Sequence, residues 1–322
     1  MDKAGRIVSI DQFRGLAIIL MVAANFLAGV HAIPAWFKHA PDIGLTVVDL
    51  IAPFFIFAIG LTYRPSFERR LARDGAGKTY AHFAVRYLAI AGIGAVFAAG
   101  ESMLGDAEVF WGVLQAIGIS GLVTLAVIRL KRVWRVVIAL GILVGYQLLL
   151  DHFLLDSVLH SSHGGLPGSL AWSAMLILST VMADLFYEKQ RLGGSYLPWL
   201  LIALVVGVMA AFLVPVSKNR VSLSYVLLCN AFSAFLFSVF HAFTARVKKG
   251  VPFLSWWGMN PLFLYVLHLI LTGIFFLPDV PWWYSEAGLL LAFGELAFIY
   301  AVLTLVAWAL YRKHVLIVLG SR

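Results

Sequence analysis

The chain has 322 residues, 62% of them hydrophobic and 12% charged, with a mean hydropathy of +0.93 and a formal net charge of +8. A water-soluble globular domain does not carry that balance, and apolar runs of about 20 residues mark membrane-spanning helices. The single cysteine, Cys229, excludes an internal disulfide and reads as a small core residue.

In chain order the apolar runs predict ten spans, at about 9–30, 44–63, 81–100, 109–128, 134–150, 169–187, 196–215, 222–244, 254–276 and 287–310. Lys3 and Arg6 ahead of the first run imitate a secretory signal, yet that run is expected to be retained as a span. The links are short. Residues 1–322 are therefore expected to form one transmembrane domain, an all-α polytopic bundle of about ten helices. No solenoid-period repeat and no low-complexity tract interrupts the pattern.

The cations orient the spans. With the N-terminus inside, the inner segments carry Lys3, Arg6, Arg14, Arg64, Arg69, Arg70, Arg73, Lys78, Arg86, Arg129, Lys131, Arg132 and Arg135. They continue with Lys189, Arg191, Arg246, Lys248, Lys249, Arg312, Lys313 and Arg322, which brings the inner set to 21 of the 24 cations. The outer links carry Glu101, Asp106, Glu108, Asp151, Asp156, Asp279 and Glu286. Both termini are thus expected in the cytoplasm. The excess positive charge reflects membrane orientation, and no nucleic-acid partner is expected. Lys38, Lys218 and Arg220 break the rule. They are either solvated loop charges or the rim of a shared extracytoplasmic pocket.

Ionisable groups within a membrane usually face the protein interior or a water-filled cavity. On the first helix, Asp11 and Arg14 are three apart and can pair. Asn25 follows on the same face, roughly 16 Å further along. A structural ion pair accounts for Asp11 and Arg14 but leaves Asn25 unexplained. His39 lies in the next link, and Asp49 sits about one turn inside the second span, where a carboxylate needs a partner such as His39, Lys38 or an amide. An imidazole beside a carboxylate has the makings of a general base near neutral pH. In the ninth span Asn260 and His268 are eight apart, so both are expected to face one cavity. Gln115 and Glu295 read as packing contacts. The sequence holds no H-E-x-x-H, no cysteine pair and no carboxylate cluster, so no metal site is expected. P-loop, dinucleotide and G-x-S-x-G signatures are also missing. Read this far, the polar track fits a transporter as well as an enzyme.

The stretch IVSIDQFRGLAIILMVAANF, followed by WFKHAPDIGLTVVDLIAPFFIFAIGLTY, resembles the lysosomal heparan-α-glucosaminide N-acetyltransferase family and its bacterial relatives. The likeness recurs at GVLQ (112–115), PVSKNRVSLSYVL (215–227) and WWGMNPLFLYVLH (256–268). Ala116 and HGGLPGSL depart from the family pattern, and the family's large lumenal domain has no counterpart here. The resemblance implies a multi-span enzyme that moves an acetyl group from cytosolic acetyl-CoA to an amino sugar across the bilayer. It implies a catalytic role for His39, with Asn25 lining the same site and Asp49 orienting His39. Arg14, Arg64, Arg69 and Arg70 are then candidates for the nucleotide phosphates, and Lys38, Lys218, Asn260 and His268 for the acceptor pocket. The expected partners are acetyl-CoA as co-substrate, the amino sugar and the lipid bilayer, with a homodimer left open. The expected location is a bacterial cytoplasmic membrane. An O-acyltransferase of envelope glycans and an amino-sugar transporter are the alternatives, and direct and acetyl-histidine routes both remain open.

Overall fold

The computed structural model describes residues 7–104, 111–189, 192, 194–247 and 250–319. Lys3, Arg6, Asp106, Glu108, Arg191, Lys248, Lys249 and Arg322, which count in the charge asymmetry, lie outside the described residues, as do the side chains of Glu101 and Lys189.

Among the described residues every regular element is helical. The order is α1 (Val8–Ala28), α2 (Ile51–Asp74), α3 (Ala76–Leu104), α4 (Val113–Val127), α5 (Arg132–Leu149) and α6 (Leu155–Leu159). It continues with α7 (Gly165–Lys189), α8 (Tyr196–Leu213), α9 (Leu223–Arg246), α10 (Pro252–Met259), α11 (Pro261–Phe276) and α12 (Leu289–Arg312). A backbone in hydrocarbon has to satisfy its own hydrogen bonds, which favours helix throughout. Leu290 is 92% exposed, Leu213 84% and Phe212 81%. Side chains of that size turned outward suit lipid and not water. The protein is a polytopic helical membrane protein.

Eight helices among the described residues are long and apolar enough to cross a membrane. The expected run at 109–128 is represented by α4, which has 15 residues. The expected span at 254–276 is not one straight helix: α10 and α11 meet at 84°. The cause is local. Pro261 lacks an N–H and its ring disfavours helical geometry at the residue before it, so Asn260 adopts φ −127°, ψ 57° and α10 stops. Pro261 then sits at the first position of α11, where its missing N–H costs nothing.

The described residues form two compact units. The first comprises Met1–Ala40, Thr46–Phe55 and Leu236–Val318. In it α1 and α10 cross at bare backbone. A Cβ on Gly15 would lie 2.0 Å from the Leu254 carbonyl oxygen, and one on Gly258 would lie 1.8 Å from that of Asp11. Without an aqueous driving force, helices in lipid gain by such close packing. The Gln12 amide secures the crossing, donating to Ser255 Oγ (3.1 Å) and accepting from the Val251 N–H (3.2 Å). Tyr300 donates to the Ile19 carbonyl and Tyr284 to that of Phe26, each at 2.7 Å, which ties α12 and the loop before it to α1. The Asn260 side chain donates to the Val315 carbonyl (2.9 Å) and accepts from the Ile317 N–H (2.8 Å), clamping the segment after α12 under the bend.

The second unit comprises Pro41–Leu45, Ile56–Phe235 and Leu319–Arg322. Its α4 packs on both α3 and α7. A Cβ on Gly121 would stand 2.1 Å from the Tyr87 ring, and Tyr63, stacked on Tyr87 at 5.4 Å, donates to the Gly121 carbonyl. Asp184 receives Arg64 at 2.5 Å and the fully buried Arg135, while Glu68 takes a second side of Arg64. At the other set of links, Asp42 accepts from Ser217 Oγ (2.9 Å) and from Arg220, and Asn219 donates to the Pro41 carbonyl. Arg220, one of the three cations that break the orientation rule, is therefore neutralised.

Two expectations follow from this packing. Gly258→Ala is expected to lower thermal stability in detergent by about 1–3 kcal/mol, because backbone cannot move aside as a side-chain tip does; unchanged melting would show that α1 and α10 do not touch. Arg220 holds the Asp42 carboxyl below the usual range, with Ser217 adding to the effect. The pair's contribution is therefore full above the unfolded carboxylate value near pH ~4 and is lost as pH falls through the lower folded value. Melting curves taken down the acid limb should show a slope that Arg220→Ala reduces.

Candidate active site

The chain leaves α1 at Gly29 and crosses a loop with a short turn at Ala35–Phe37 before it re-enters at Val48–Leu50, the turn that opens α2. Asp49 in that turn is wholly buried. A buried carboxylate is tolerated only when donors surround it. Asp49 accepts from His39 Nδ1 (2.7 Å), the Ala40 N–H (3.3 Å), the Thr46 N–H (2.9 Å) and Thr46 Oγ1 (3.0 Å). Those bonds fold the loop around the carboxylate and fix the imidazole. Nδ1–H points at Asp49, so the second ring nitrogen, Nε2, points away from it. The His39 side chain is 38% exposed, enough for a reactant to reach the ring. An imidazole held this way can accept a proton at Nε2 while the carboxylate steadies the imidazolium that results.

A second polar contact lies in the same unit. Asn25, in the last turn of α1, places Nδ2 3.1 Å from Nε2 of the wholly buried His268 on α11. The Tyr265 ring lies 4.8 Å from the His268 ring, edge-on. Arg14 sits near the opposite end of α1, bonded to Asp11 (3.4 Å) and to the Gly258 carbonyl (3.3 Å).

The structure thus joins His39 to Asp49 and Asn25 to His268. It does not join Asn260 to His268. Asn260 is the residue at the break, so helical phase does not carry across it, and its amide is occupied by Val315 and Ile317. Lys38 is half-buried beside His39, while Lys218 is buried in the second unit, in the segment next to Asp42. Among the other basic candidates, Arg64 is matched by Glu68 and Asp184 and Arg70 by Asp74, while exposed Arg69 meets the Ser66 hydroxyl at 3.5 Å. Gln115 accepts from the Gly112 N–H, an end-capping role in keeping with a packing residue.

The Ala40 N–H is an amide partner of the kind expected for Asp49, whereas Thr46 escaped the sequence reading. The T-x-x-D spacing of Thr46 and Asp49 is the capping-box signature that could have revealed Thr46. Glu295 also differs from the expectation. It is buried, and neither carboxylate oxygen has a hydrogen-bond partner among the described residues.

The family described as heparan-alpha-glucosaminide N-acetyltransferase, catalytic, matches residues 6–233. The chain belongs to this family. A heparan-alpha-glucosaminide N-acetyltransferase from Homo sapiens is 49% identical over 55 residues, covering 17% of this chain and 8% of that protein. The corresponding protein from Mus musculus is 44% identical over 59 residues, covering 18% of this chain and 8% of its own length. The match therefore spans a small part of these curated relatives. The family segment includes Asn25, His39 and Asp49, and α10, α11 and α12 lie beyond it. The resemblance expected from the motifs is borne out.

Removing the carboxylate at the centre of the loop gives a direct check. Asp49→Ala would leave the Ala40 and Thr46 amides without their acceptor, and a loss of about 1–3 kcal/mol in thermal stability is expected. Nitrogen-labelled histidine spectra should at the same time lose the Nδ1–H signal of His39. If that signal persists unchanged, Asp49 does not fix the ring.

Proposed function

We propose that the chain is a membrane-embedded N-acetyltransferase that moves an acetyl group from acetyl-CoA at the cytoplasmic face to a glucosamine-type amine at the other face. The observation that carries this reading is His39 bonded at 2.7 Å to a buried carboxylate that takes three further hydrogen bonds. Family membership supplies the reaction class.

In this mechanism the acceptor amine attacks the thioester carbonyl carbon. The C–N bond forms, the C–S bond breaks, and the electron pair of the broken bond goes to sulfur. His39 Nε2 takes a proton from the attacking nitrogen and passes it to the CoA thiolate. Asp49 stabilises the imidazolium between those two transfers. The Asn25 amide has two hydrogens: one meets His268, and the other is the donor for the oxyanion that develops on the carbonyl. Arg14 is the choice for the nucleotide phosphates, because it stands on the same helix roughly 16 Å from Asn25. That division of α1 into a binding end and a reacting end matches a donor that reaches along the helix. The orientation rests on the cation asymmetry, which supports cytoplasmic termini and an extracytoplasmic His39.

Acetyl release from labelled acetyl-CoA onto a panel of amino sugars, with purified protein, tests the reading. His39→Ala is expected to keep the fold and donor binding and to lose about 10²–10⁴-fold in rate. Wild-type turnover in that variant would overturn the assignment. Arg14→Ala should weaken donor affinity, read by calorimetry, whereas Asn25→Ala should lower turnover with donor affinity kept. Topology has its own check: cysteines placed at Lys38 and Ala72 should label from opposite faces of sealed vesicles. Labelling of both from one face would exclude a cross-membrane route.

A further inference from the structure

Acylation of an amine drawn from neutral solution involves two protons. The acceptor arrives as an ammonium ion and gains its nucleophilic lone pair only when one proton has left. The second leaves nitrogen as the amide forms and ends on the CoA sulfur. His39 serves the second. The first needs another acceptor.

Glu295 on α12 meets the requirements. It is 4% exposed, and both of its carboxylate oxygens lie buried with no hydrogen-bond donor among the described residues. An intramembrane carboxylate of this kind is costly unless a cation or a proton joins it, and such residues commonly mark a proton or substrate path. Two bonds fix its level. Tyr284, ahead of α12, reaches Phe26 near the end of α1, while Tyr300, further along α12, reaches Ile19, so the two helices run in opposite directions. Glu295 lies five residues before Tyr300, about 7.5 Å, and Asn25 lies six residues beyond Ile19, about 9 Å. Glu295 and Asn25 therefore both lie between the level of the Tyr300–Ile19 bond and that of the Tyr284–Phe26 bond. Laterally, Phe298, one turn from Glu295, meets Phe275 of α11 at 6.3 Å. One turn before Phe275 is Thr272, whose buried Oγ1 also has no partner among the described residues, and one turn before that is His268.

We propose that Glu295 binds the ammonium group of the acceptor and takes its first proton, with Thr272 as a hydroxyl partner of the same ligand. The step is balanced: ammonium and carboxylate become free amine and carboxylic acid, and the amine then attacks the thioester. The proposal rests on the acetyl-transfer reading above. The titratable groups on the helices packed against α12 are Asp11 and Arg14 on α1 and Tyr265 and His268 on α11; α10 has none. Tyr284 precedes α12, and Tyr300, Tyr311 and Arg312 lie on it. Among them His268, bonded to Asn25, is the buried base, and Glu295 on α12 is the buried acid.

The test compares two acceptors in full-length purified protein: glucosamine, an ammonium ion at neutral pH, and hydroxylamine, a weak base that is an uncharged nucleophile there. Glu295→Gln is expected to lose about 100-fold or more in kcat/KM with glucosamine at pH ~6.5 and to keep its rate with hydroxylamine. The deficit should shrink as pH rises past the titration of the sugar amine. Equal rates to wild type with both acceptors, or equal losses with both, would overturn the role. If Glu295→Gln melts early, Glu295→Met, which also removes the carboxylate at similar volume, carries the same comparison. A loss confined to glucosamine supports the proposal, and no loss or an equal loss overturns it. A wild-type protein inactive with both acceptors would instead defeat the acetyl-transfer reading itself.

Discussion

A carboxylate taken wholly out of water has to be supplied with donors, and around Asp49 that requirement organises a loop. Four hydrogen bonds converge on it, two from Thr46, one from the Ala40 amide and one from His39. Each of those donors would lose its partner if the loop opened. The cost of stranding a buried charge is therefore what holds the imidazole in one orientation. The same bonds open α2, because Asp49 lies in the turn that leads into it. The shape of the loop depends here on one side chain, and the orientation of the His39 ring follows from where its carboxylate is buried.

Much of this was legible in the residues. Long apolar runs locate helices because hydrocarbon leaves the backbone no other partner. A carboxylate near the start of a span implied a donor close by in sequence, and His39 was ten residues away. What could not be read was the relation between distant helices. Asn25 and His268 each appeared on a polar face, but 243 residues separate them, and no periodicity within one helix sets the register of another. The same limit applies to Arg64 and Arg135. Their charges fitted a positive-inside pattern, and only the approach of α7 shows that Asp184 receives both. Asn260 shows a different failure. Helical phase was counted through a residue that Pro261 had already taken out of the helix.

The two units handle intramembrane polarity by different means. In the second, Arg64 and Arg135 share Asp184, with further contacts from Glu68 and Thr180. A charge network of this kind stabilises and specifies the packing of α2, α5 and α7. In the first unit the deeply buried polar groups include a carboxylate with no cation or donor beside it among the described residues. Asn25 and His268 meet, while Glu295 and Thr272 keep hydrogen-bonding capacity. Function in a membrane protein is expected where that capacity is retained against its energetic cost.

The Asn260 clamp has a consequence for biogenesis. Its amide is satisfied by Val315 and Ile317, residues that leave the ribosome last among those it touches. The unit that holds His39 begins with α1 and ends beyond α12, with most of the other unit synthesised in between. Contacts of such sequence separation form late, since a long loop must close before they are gained. The helices of the second unit are made before α10, α11 and α12. Those around His39 gain their contacts with α10, α11 and α12 only when nearly all of the chain has been made.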